Sequence, residues 1–130
     1  MSQLLRSLLL LTVSLFLGGC GGGSMPAPTP VGIFVQSMPA NQTAYAAMAP
    51  PQNQVSFAAV ITYSDGSVGS TPISGVQWAN SDSWVSLSRN VATCTQPAPA
   101  LILGTVFSTV TATAQVSGKT YSDSSGLYCL

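Results

Sequence analysis

Thr105-Val106-Phe107-Ser108-Thr109-Val110-Thr111-Ala112-Thr113-Ala114-Gln115-Val116 alternates apolar and polar residues almost throughout. Val106, Val110, Ala112, Ala114 and Val116 fall on one face, and Thr105, Thr109, Thr111, Thr113 and Gln115 on the other. A repeat of two is what a strand shows when one side packs on a core and the other meets water, because successive side chains leave opposite sides of the pleat. Gly118-Lys119 then turns the chain into a last strand that ends at Leu127–Leu130.

Upstream the same reading continues. Gln54–Tyr63 sets Val55, Phe57, Ala59, Ile61 and Tyr63 on one face, and Asp65-Gly66 supplies a turn signal after it. Val31–Gln36 reads as a first strand, Val76–Asn80 as a strand carrying Trp78, and Trp84–Leu87 and Asn90–Thr95 as two short ones. Ser37–Asn53 is irregular, with a short piece expected around Tyr45–Met48; Pro39, Pro50 and Pro51 leave little room there for a helix. About seven short strands separated by turn signals predict an all-β, Ig-like two-sheet sandwich, with a small barrel as the alternative. Trp78 is expected in a central strand, filling the space between the sheets.

The other end of the chain speaks of location. Met1–Ser7, with Arg6, precedes the apolar run Leu8–Leu17, and small residues follow, in the order of a secretory signal. The run is shorter than the roughly 20 residues that a membrane span needs. Leu17-Gly18-Gly19-Cys20 resembles the lipobox of bacterial lipoproteins. That resemblance implies cleavage after Gly19 and a diacylglycerol on the thiol of Cys20, with a second, amide-linked acyl chain in many bacteria. Two or more acyl chains anchor stably where a single one binds marginally. The alternative is a secreted protein cut elsewhere, although no Ala-x-Ala site stands near the end of the run. Residues 1–19 are then a signal peptide, 20–30 a Gly/Ser/Pro-rich tether and 31–130 the folded domain, held to the outer membrane or cell surface on the extracytoplasmic side. Fully extended, the tether reaches about 35 Å.

Charge excludes several functions. Only 5% of the residues are charged, and there is no His. After the signal, Arg89 and Lys119 face Asp65, Asp82 and Asp123, which leaves no basic patch for nucleic acid. With Cys20 lipidated, Cys94 and Cys129 remain as a pair in an oxidising compartment, where a disulfide forms and persists; two buried free thiols are the alternative.

Three segments together resemble the group 2 bacterial immunoglobulin-like family: Phe57-Ala58-Ala59-Val60-Ile61-Thr62-Tyr63-Ser64-Asp65-Gly66-Ser67, then Val76-Gln77-Trp78-Ala79-Asn80-Ser81, then Thr109-Val110-Thr111-Ala112-Thr113-Ala114 with Ser117-Gly118-Lys119. The resemblance runs from about Val31 to Leu130. It implies an Ig-like sandwich of the kind found in bacterial surface proteins and adhesins, acting as a spacer or as a protein- or glycan-contacting module, without catalytic residues. The Cys-containing stretch Ala92–Gly104 is longer and richer in Pro than the turn many members have there. A stalk raising a distal head is not expected, since the domain stands alone.

Catalysis has little to work with: no His, no Glu, no paired carboxylates, and hence no cofactor or metal is expected. Asp65 and Asp82, with Asn80, form a weak calcium candidate if they meet at one end; the simpler reading is that both are turn formers. Trp84, Tyr45, Tyr121 and Tyr128 are candidate exposed aromatics for a binding surface, as are Leu101 and Ile102 within the loop Gln96–Gly104. Core packing is the competing reading for each. The expected function is a non-enzymatic, lipid-anchored envelope protein contacting another protein or a glycan; the alternative is a structural component with no specific ligand.

Overall fold

The computed structural model describes residues 23–38, 40–97 and 107–130. Eight strands follow one another: β1 Pro30–Met38, β2 Thr43–Ala44, β3 Gln54–Tyr63, β4 Gln77–Asn80, β5 Val85–Ser88, β6 Val91–Cys94, β7 Ser108–Val116 and β8 Lys119–Cys129. They form two four-stranded sheets, ordered β1-β3-β6-β5 and β2-β8-β7-β4. The fold is an Ig-like β-sandwich: its sheets correspond to the two of a constant-type domain, with β2 added beside the last strand.

The alternation read from the sequence is the alternation observed. Val110, Ala112, Ala114 and Val116 of β7 are buried, with Ser108 beside them on the same face, while Thr109, Thr111 and Thr113 lie outside. Val106 lies outside the described residues. Across the outer face, Thr111 and Ser124 hydroxyls stand 2.9 Å apart and Thr113 and Ser122 3.3 Å apart, a polar ladder between β7 and β8. Ser117 (φ 52°) and Gly118 (φ 78°) make the two-residue turn, with Val116 opposite Lys119. Positive φ at both central positions matches the twist of a hairpin, and glycine adopts it without strain.

The strands number eight, in line with the roughly seven expected, and the short second one, Thr43–Ala44, pairs in parallel with Tyr128–Cys129. So short a strand has no period to read; long-range pairing alone creates it, and it precedes the expected Tyr45–Met48. Pro30, assigned to the tether, opens β1 opposite Tyr63. Trp78 sits on β4, the edge strand of its sheet, half-buried against the core, whereas Trp84 is buried at 8% exposure. Trp84 takes the core-packing reading, and Trp78 packs on the core from an edge strand instead of a central one.

One flank of the sandwich is closed where β1 meets β8. Asp123 of β8 turns its carboxylate to the edge of β1 and accepts the Val35 N–H at 2.7 Å, and the Tyr121 hydroxyl reaches the Pro30 carbonyl at 3.4 Å. An acidic group on an edge N–H blocks that edge from pairing with another chain. The opposite flank is bridged at its far end, where Asn80 Nδ2 of β4 donates to the Val85 carbonyl of β5 at 3.0 Å.

Candidate functional site

The two ends of the sandwich differ in construction. At the tether end, Gly23–Thr29 runs exposed and without regular structure into β1. Its last residue is fixed by the turn after β3: Thr29 N–H donates to Ser64 Oγ at 3.1 Å, and Ser64 N–H to the Thr29 carbonyl at 2.9 Å. The Ser117-Gly118 hairpin and the Asp65–Ser67 turn share this end. Asp65 Oδ1 accepts from the Ser67 hydroxyl at 2.6 Å and the Ser67 N–H at 2.9 Å, which holds its carboxyl below the ordinary value of 3.8.

The far end gathers the close of β1, the segment 40–53, the close of β6, the start of β7 and the C-terminus. Its backbone is knitted by parallel pairing: Ala46 N–H donates to the Leu130 carbonyl at 2.8 Å, and Leu130 N–H to the Ala44 carbonyl at 2.9 Å. Cys94 and Cys129 form a disulfide here, with Cα atoms 5.6 Å apart, joining β6 of one sheet to β8 of the other. Both cysteines are buried.

On this frame stand exposed apolar side chains. Met38, Tyr45, Met48, Phe107 and Leu130 are each about half exposed, between 48% and 57%. Met38, Tyr45 and Pro51 line a groove of about 340 Å³ whose polar rim includes Thr43, Gln52 and Gln54. Around the corner, Phe107 stacks against Tyr128 with ring centroids 5.7 Å apart, and it lies so close over Gly126 that a Cβ there would meet the ring at 3.3 Å. Gly126 therefore makes the seat for that ring. Apolar side chains in a groove with a polar rim and no charged lining residue fit a contact surface for a neutral protein or sugar face.

The residues singled out from sequence distribute unevenly. Trp84 belongs to the core and presents no face to a ligand; its carbonyl accepts both the N–H and the hydroxyl of Thr95 at 3.0 Å. Tyr121 is half-buried at the β1–β8 seam, its hydroxyl turned to Pro30. Tyr45 and Tyr128 do stand at the far end. Cys20, Leu101 and Ile102 lie outside the described residues. Asp65 sits at the tether end and Asp82 at the far end, where Ser81 bonds it, so they cannot share a cation. Among the described residues no group of three or more His, Cys, Asp or Glu gathers as a metal site, and no helix is long and apolar enough to cross a membrane.

Met38, Met48, Phe107 and Leu130 escaped the sequence reading. Their signal is modest: apolar residues in or beside stretches with no period that would bury them. Comparisons with family models, with curated proteins and with solved structures each find no match to the chain.

Proposed function

We propose that the chain is a lipid-anchored protein of the bacterial cell envelope, related to the group 2 bacterial Ig-like domains, whose Ig-like domain makes non-enzymatic contact with another protein or a glycan. One observation carries the reading. Five exposed large apolar side chains, Met38, Tyr45, Met48, Phe107 and Leu130, gather at the end of the sandwich opposite the tether, while Met25, Val31, Phe34 and Val68 are scattered over the tether, β1 and the tether end; a domain held by Cys20 presents the gathered set away from the membrane. Tyr45 in the groove, exposed Met48 on the same segment, and the Phe107–Tyr128 pair around the corner are the contacting groups, in place of Trp84 and Tyr121. Tyrosine supplies large contact area together with one polar handle, the combination that interfaces favour. Leu17-Gly18-Gly19-Cys20 supports the anchor, and the Cys94–Cys129 disulfide agrees with an oxidising compartment.

Cys20→Ala tests the anchor: the protein is expected in the soluble extracytoplasmic fraction, and its retention in the membrane refutes lipidation. Chemical cross-linking of intact envelopes followed by mass spectrometry tests the contact surface. A discrete partner lost in Tyr45→Ser/Met48→Ser and kept in Val68→Ser is the expected result. The burial of Trp84 and the tying of Tyr121 favour a second reading, a structural component without a ligand; no reproducible cross-linked partner would decide for it.

A further inference from the structure

The flank between β4 and β5, where both sheets end, holds a cavity of about 430 Å³. That lies within the range of small-molecule sites, about 300–1,000 Å³. Phe57 and Ala59 of β3 form its floor, Trp78 of β4 and Leu87 of β5 its walls, and Ile73 closes one side. The frame is fixed by backbone bonds: Ile73 N–H donates to the Ala59 carbonyl at 2.8 Å, and Phe57 N–H to the Asn90 carbonyl at 2.8 Å. Asn90 Nδ2 returns a bond to the Phe57 carbonyl at 2.8 Å. This holds the β5–β6 turn over the cleft, with Arg89 among the lining residues.

Arg89 is the feature that a packing defect does not explain. It is exposed at the first central position of the two-residue β5–β6 hairpin, where its φ of 53° is the turn's own geometry, and it stands among the lining residues of the cleft. It is one of two cations beyond the signal segment, and each of the three carboxylates is engaged elsewhere: Asp65 with Ser67, Asp82 with Ser81 and Asp123 with the Val35 N–H. A guanidinium without a counter-charge beside an apolar cleft is complementary to a molecule with an apolar body and an anionic head. Arginine's planar fork matches a carboxylate in two bonds.

We infer that this cleft binds a small amphiphilic carboxylate, its tail or ring between Trp78 and Leu87 and its head on Arg89. The cleft shares Met38 with the far-end groove but none of Tyr45, Met48, Phe107 and Tyr128, so the assignment does not depend on the proposed contact surface. The test is tryptophan emission of the full lipoprotein in phosphatidylcholine nanodiscs, titrated with octanoate, octanol and acetate against empty nanodiscs. Octanoate is expected to give a saturable change that Trp78→Phe abolishes, because buried Trp84 does not meet the ligand. Octanol on the native protein, and octanoate on Arg89→Gln, are each expected to bind roughly two- to fivefold more weakly, and acetate not to bind. Equal binding of octanoate and octanol, an Arg89→Gln protein that binds octanoate as the native one does, or a response shared with empty nanodiscs would overturn the assignment. Thermal unfolding of Arg89→Gln, expected to match the native curve, separates lost binding from lost fold.

Discussion

The tether end and the far end of this sandwich are built by different means. At the tether end the turns are tight and locally determined: Ser117-Gly118 joins β7 to β8 in two residues, and Asp65 caps its own turn through Ser67. At the far end the chain wanders from residue 40 to 53, is caught by two residues of parallel pairing, and is tied by a disulfide. Local chemistry secures one end and long-range constraint the other. Irregular segments held from a distance can display side chains that regular strands would bury, and this is where the half-exposed Tyr45 and Met48 stand. Binding residues commonly sit on loops positioned by a rigid scaffold.

If long-range constraint governs the far end, the heaviest losses come from its buried anchors. Trp84→Ala is expected to destabilise by about 3–4 kcal/mol in urea unfolding, against about 1–2 kcal/mol for half-buried Trp78→Ala; equal losses would contradict the difference in burial between them. The Cys94→Ala/Cys129→Ala pair follows, at about 2–4 kcal/mol, and hydrogen exchange is expected to speed up at 43–46 and 127–130 while 117–118 is unaffected. Gly118→Ala probes the tether end: an alanine at φ 78° costs about 1 kcal/mol, and no loss would mean that the hairpin does not need that conformation. The smallest effect is a pH dependence. Asp65 titrates below its ordinary value when folded, so its contribution is present above pH 3.8 and lost as pH falls through the lowered folded value. Asp65→Asn is expected to flatten that small acid limb, and an unchanged limb would assign it to another group.

How far the sequence disclosed the molecule follows the same division. The second half of Thr105–Val116 was legible because it is long and buries one face, so the period of two is imposed by the fold; Gln54–Tyr63 was legible as a strand from its length and flanking turn, although Phe57–Val60 is buried on both faces. Thr43–Ala44 was illegible, since two residues carry no period. The tryptophans were hard to place for a related reason. Trp78 lies in a four-residue strand, and Trp84 in the turn just before another; nothing within four residues says whether a strand is central or at an edge. The disulfide was legible by counting once Cys20 was set aside. The apolar side chains of the far end were not, because their exposure is set by β2 and the C-terminus meeting across the chain.

The central claim is that the far end makes the contact. Site-specific photo-cross-linking in living cells measures it directly, with a benzophenone amino acid placed at Tyr45, at Met48, or at Val68 near the tether end. Discrete adducts from positions 45 and 48, with none from 68, are the predicted result. Adducts from position 68 alone, or none from any of the three, would contradict it.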